Sequence, residues 1–217
     1  MSMKPFILFI SVLLSLSAFS QNKEEEYNKV LTQRAEKIVA TLDIKDKAVY
    51  DAVTRAIVNQ YKSLGELHDK SDADIKAAKQ NITDKTAKEA AIKTLETELS
   101  ASLYNLHCAY IGALSANLTN DQIEKVKDGM TYGVVQVTYT SYQDMIPTLT
   151  PEDKKQLYAW LVEAREHAMS AASSKEKHEW FGKYKGRFNN YLSKQGYDIQ
   201  KERKAWEERV KAKGGTL

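Results

Sequence analysis

Along nearly the whole chain, apolar residues recur at intervals of three and four. Tyr27, Val30, Leu31, Ile38, Val39 and Leu42 form one run, and Val49, Val53, Ile57, Tyr61, Leu64 and Leu67 the next. That spacing lines one face of a helix and would scatter over both faces of a strand, so it predicts amphipathic helices. A turn at Asp43–Asp46 separates the two. The charged "HDKSDADIKAAK" extends the second helix, and "QNITDKTAKE" reads as a linker. A third helix follows through Leu95, Leu99, Leu103, Leu106, Tyr110 and Leu114. Nine glycines and three prolines in 217 residues leave little room for a turn-rich β architecture.

Four start signals divide the rest. In "LTNDQ" Thr119 can cap the backbone while Gln122 reaches back, with Leu118 stapled against Ile123. Gly129 suits the left-handed position just past the end of that short helix. In "LTPED" Thr150 is the N-cap and Pro151 the first helical residue, ahead of Leu157, Trp160, Leu161, Ala164, Ala168 and Ala172. "SSKE" offers Ser173 with Glu176 and opens a stripe of Phe181, Tyr184, Phe188, Tyr191 and Leu192. Asp198 caps a last helix carrying Ile199, Trp206 and Val210.

One stretch breaks the pattern. Between 131 and 142 stand three valines, three threonines and three tyrosines, the content of a strand. No second run of this type exists, and a lone strand leaves its backbone groups unpaired. The expected fold is therefore all-α: a single helical domain over 21–217, a bundle interrupted by one ordered aromatic loop around 130–142 and re-entering a helix near Thr138.

Residues 1–20 read as a signal peptide. Lys4 precedes the apolar "PFILFISVLLSLSAF", which is short for a membrane span, and Ala18 and Ser20 form a small-x-small cleavage site before Gln21. Export to the periplasm or beyond is expected, with no stable membrane insertion and no nucleic-acid partner. Residues 175–213 carry twelve Lys/Arg against six Asp/Glu, which reads as a solvated helix face or as a surface for an acidic partner. The single cysteine, Cys108, cannot make an internal disulfide and reads as a core thiol.

The stretches "KVKDGMTYGV", "AWLVEAREHAM", "SSKEKHEWFGKYKGRFNNYL" and "GYD" resemble the exported domain-of-unknown-function 3826 family of Bacteroidetes. "QYKSLGELHDKSDADIKA" extends the resemblance upstream. It implies carbohydrate as the expected ligand, in an accessory role, and no catalytic residues to carry over. "LTNDQ" and "LTPED" are also similar to the paired Leu-Thr-x-x-Gln motifs of small periplasmic chaperones of the Spy type, with Asp153 departing from that pattern. A glycan-active enzyme and a chaperone-like protein are thus the alternatives.

Sugars are held by aromatic faces and planar polar groups. Tyr132, Tyr139, Tyr142, Trp160, Trp180, Arg187 and Asn189 would supply both if the aromatic loop folds over the two helices that follow it. His178 shares a flank with Asn189 and with Gly182 and Gly186, whose presence inside a helix suggests close approach of a neighbour or a ligand. Arg165 falls on a line with Tyr158, Val162 and Met169, so its charge needs a carboxylate partner or a ligand anion. The expected ligand is a carbohydrate with room for an acidic one. "HEWFG" lacks the second histidine of a zinc helix, and "DKSDAD" lacks the glycine and glutamate of a calcium loop. No metal, cofactor or catalytic set is indicated, and the oligomeric state is open.

Overall fold

The computed structural model describes the backbone of residues 6–215 and the side chains from residue 23 onward. Lys4 and the side chains of Ala18 and Ser20, on which the export signal was read, lie outside the described residues.

The described residues form eight α-helices and no strand: α1 (Phe6–Val39), α2 (Lys47–Asn81), α3 (Lys85–Ser115), α4 (Asn120–Met130), α5 (Val134–Met145), α6 (Pro151–Met169), α7 (Ser174–Lys194) and α8 (Ile199–Ala212). The all-α reading of the spacing is borne out. Helix starts fall on the caps. Thr119 Oγ1 accepts from the Gln122 amide at 3.3 Å while the Thr119 amide donates to Gln122 Oε1 at 3.0 Å. Thr150 and Asp153 do the same, 3.1 Å in each direction. Ser173 and Asp198 accept at the starts of α7 and α8. Each such cap is worth about 1 kcal/mol.

Residues 130–142 are not an extended loop. The chain turns at residues 131–133 and then winds into α5, whose buried face is Val135, Thr138, Tyr142 and Met145. Those positions are three and four apart. β-Branched residues lower helix propensity by no more than about 0.7 kcal/mol each. A helix pairs its backbone internally, which an unpartnered extended segment cannot do. Burial of one face then outweighs propensity.

Gly129 does not close α4. It sits inside the helix, where Ile38 Cγ1 of α1 would lie 2.9 Å from an added Cβ, so its role is to let α1 cross closely. The left-handed residues of this turn are Tyr132 (φ 60°) and Gly133 (φ 65°). The Gly133 amide donates to Asp128 O at 2.9 Å, the long bond of a Schellman closure.

The expected linker shrinks to residues 82–84. Cys108 is exposed rather than core, because the packed side of α3 runs through Tyr110 and Leu114, and Cys108 precedes Tyr110 by half a turn. Gly182 and Gly186 face open space, so no helix approaches them.

Two apolar clusters hold the bundle. Ile57, Leu114 and Val126 belong to the one built by α1–α4; Leu161, Phe181 and Phe188 belong to the one built by α5–α7 with α8 alongside. Burying Phe181 and Phe188 stabilises by about 1.5–3 kcal/mol apiece. α6 serves both, with Ala168 in the second cluster and Met169 in the first.

Candidate ligand-binding site

The buried stripe of α7 continues one turn before Phe181 to Lys177, which is only 6% exposed. Its ammonium donates to Met130 O at 3.1 Å. That carbonyl ends α4, where the helix dipole favours a cation. The Tyr61 ring centroid lies 5.7 Å away. Among the described residues no carboxylate pairs with it. Burial, and then the charge of Arg34, push Lys177 down to about 8.

Lys177 lines a cavity of about 520 Å³ between α1, α2 and the turns that follow α4 and α6. Tyr27, Arg34 and Lys37 enter from α1, Tyr61 from α2, and Tyr132 from the turn after α4. The described lining therefore contains lysine, arginine and tyrosine but no carboxylate. Burial, and then Tyr132, push the Tyr61 hydroxyl up to about 12, so it stays neutral at physiological pH. Gly65 keeps α2 open here: a Cβ on it would stand 3.3 Å from Tyr27 Oη.

Tyr132 is held unusually. It is 55% exposed and stands in the left-handed region that a side chain disfavours. This costs on the order of 1 kcal/mol, and such residues gather at functional sites. The ring stacks on His178 at 5.5 Å between centroids, and His178 Nδ1 donates to Ser174 O at 2.7 Å. Of the sequence-based set, Tyr132 lines this cavity and His178 stacks against its ring.

The others go elsewhere, and neither Trp160 nor Trp180 lines the cavity. Tyr142 is buried, donating to Asn189 Oδ1 at 2.8 Å and meeting Phe188 edge-on. Tyr139 meets Tyr158 edge-on at 5.3 Å. Arg187 lies 4.3 Å over the Trp160 ring and bonds Glu163 at 3.4 Å. Trp180 stacks on His167 at 4.4 Å, with the Lys183 ammonium 4.8 Å from its ring. These groups are engaged by one another across α5, α6 and α7. The expected concave site shared by a loop tyrosine and Trp160 or Trp180 does not form at this cavity.

Arg165 finds carboxylates. It is 2% exposed and donates to Asp128 at 2.7 Å, to Glu124, and to Glu166 at 3.5 Å. Lys127 joins Glu124 and Glu166 at 3.2 and 3.1 Å, and His107 Nε2 lies 3.2 Å from Glu166. Burial lifts Glu166, but the His107 and Lys127 hydrogen bonds, with the charges of Lys127 and Arg165, hold it near 2. This network ties α3 and α4 to α6 and is an internal brace.

Lys177, Arg34 and Tyr61 were not singled out from the sequence. Lys177 carried a readable signal, since it stands four residues before Phe181 on the apolar stripe. Arg34 and Tyr61 did not, because only the crossing of α1 on α2 brings them to α7. The cavity offers cationic hydrogen-bond donors and ring faces, and its described lining lacks the carboxylate pair a glycosidase uses. Among the described residues no three His, Cys, Asp or Glu side chains gather to hold a metal ion, and no helix is long and apolar enough to cross a membrane.

The model of the DUF3826 family, described as a protein of unknown function, matches residues 28–212. This bears out the family resemblance read in the sequence. No curated protein matches the chain.

Proposed function

The chain belongs to the DUF3826 family, and we propose that it is an exported, non-catalytic saccharide-binding protein whose ligand enters the cavity of Tyr27, Tyr61, Tyr132 and Lys177. The observation that carries this reading is Tyr132. An exposed ring is kept at the cavity in a backbone conformation that costs stability, and ligand contact gives a reason to keep it there. The cavity volume falls in the range of small-molecule sites, and its walls combine ring faces with a few polar groups. Stacking a sugar on a ring removes apolar area from water at roughly 25 cal/mol per Å², about a kcal/mol per ring.

Tyr132→Ala should weaken retention of the protein on immobilised glycans roughly tenfold while the helical circular dichroism is unchanged. Trp180→Ala, away from the cavity, should leave retention intact. If Tyr132→Ala retains full binding and Trp180→Ala loses it, the site lies on the other face of α7. Export is checked by N-terminal sequencing of protein recovered outside the cytoplasm, with Gln21 as the expected first residue.

A further inference from the structure

Resting on the saccharide reading above, we propose that the ligand of this cavity is an acidic saccharide, whose carboxylate or sulfate seats between Lys177 and Arg34. Two features of the cavity carry this, and neither is explained by sugar binding alone.

The first is the lysine itself. A buried ammonium without an acidic partner is costly, and structural lysines at such depth are paired. Lys177 has three donor hydrogens, and among the described residues its one acceptor is the Met130 carbonyl. The Met130 carbonyl engages one of those hydrogens and leaves two without an acceptor among the described residues. An anion brought by a ligand supplies the missing partner. Where charge is desolvated such a pair is strong, and its geometry sets specificity.

The second is the sign of the whole lining. Arg34 and Lys37 stand on successive turns of α1 beside Lys177 of α7, and no Asp or Glu joins them among the described lining residues. Arg34 and Lys37 are exposed and make no ion pair among the described residues, so both are open to a ligand anion beside Lys177. Elsewhere the protein pairs its partly buried charges, as at Arg165, Lys127 and Glu166. The nearest acid on α7, Glu176, is occupied at the helix start, accepting from the Ala172 amide at 3.2 Å and from Ser173 Oγ at 2.9 Å. Cations left unpaired around a tyrosine-walled cavity fit a ligand with both a ring face and an acid group. A neutral sugar would leave Lys177 as it is.

The test is a calorimetric titration of the full chain with size-matched oligosaccharides: polygalacturonate, alginate and chondroitin sulfate fragments against galactan, dextran and laminarin fragments. Inorganic sulfate and phosphate are titrated alone. At least one acidic fragment should bind ten or more times tighter than every neutral one. Lys177→Met and Arg34→Gln should each remove tenfold or more of that affinity, and Lys201→Gln, an exposed change on α8, should not. Arg34 is exposed, so its variant folds whatever becomes of the buried one. Neutral fragments binding as tightly as acidic ones, unaffected by Lys177→Met, would overturn the acid-group proposal and leave the saccharide reading standing. Sulfate or phosphate binding as tightly as any acidic fragment would keep the anion seat and overturn the saccharide reading. No binding of any acidic fragment overturns the proposal outright.

Discussion

Arg165 of α6 donates to Asp128 of α4 at 2.7 Å, at the boundary between the two apolar clusters. Replacing Arg165 by Met removes the one fully buried cation of the brace, leaving Glu124 and Glu166 to Lys127 and His107 and Asp128 without its ion-pair partner. Breaking a wholly buried pair costs about 3–5 kcal/mol. Because these carboxylates retain some hydration, Arg165→Met should cost less, about 2–3 kcal/mol. Urea denaturation checks this, and an unchanged midpoint would mean that the brace contributes nothing.

Glu166 gives the same brace a pH signature. Its folded value near 2 lies below the ordinary 4.5, despite the burial that lifts it, because His107, Lys127 and Arg165 favour the carboxylate. A lowered carboxylate contributes stability above its unfolded value and loses it as pH falls toward the folded one. Stability should therefore decline from about pH 4.5 to pH 2, and Glu166→Gln should flatten that limb. Parallel acid limbs in the two proteins would count against the assignment.

The helix starts were legible because a cap is local: Thr119, Thr150, Ser173 and Asp198 need only the next three residues. Even the departure at Asp153 has a structural account, since this carboxylate completes the capping box and also accepts from Tyr191 and Tyr197 at 2.9 and 2.8 Å. The turn at Tyr132 was not legible. A left-handed residue is expected to be glycine, and Gly129 is the glycine that the sequence suggests for that position. The site was half legible. Aromatic content pointed to 130–192, but which rings pack and which stay open depends on how α5 lies on α6. The cavity depends on α1, more than ninety residues from Tyr132 at Arg34.

Three helical glycines should respond in opposite senses. Gly129→Ala places a Cβ 2.9 Å from Ile38 and should destabilise by about 1–3 kcal/mol, the usual result of overpacking. Gly182→Ala and Gly186→Ala meet nothing within 4 Å and should each stabilise by about 0.5–1 kcal/mol through helix propensity. Thermal melts of the three variants decide this. Destabilisation by the α7 changes would show that this face is covered in solution.

Tyr132→Gly should stabilise the protein by about 1 kcal/mol, because glycine adopts the left-handed conformation without the clash of a Cβ. The same change removes the ring from the cavity wall and should weaken glycan retention roughly tenfold, as expected for Tyr132→Ala. A rise in melting temperature together with a loss of binding is the expected pairing. A fall in melting temperature would mean that the stack on His178 outweighs the backbone cost.

Lys177 should make the protein more stable as the solution becomes alkaline. Its folded value, about 8, lies below the ordinary 10.5, first because it is buried and then because Arg34 repels it. Between those values the unfolded chain holds the proton and the folded chain has released it. Stability therefore rises with pH there, by up to about 1.4 kcal/mol per unit. Tyr61, whose ring faces it, is pushed up to about 12 and does not share this window, and tyrosines of the unfolded chain titrate only near 10. From pH 7.5 to 9.5 the wild type should gain stability relative to Lys177→Met, which lacks the titrating group. An acidic ligand would hold the ammonium charged and shrink that gain, tying the slope to occupancy of the cavity. Equal slopes in the wild type and Lys177→Met without ligand would show that Lys177 is hydrated, and the case for an unpaired buried charge would fall.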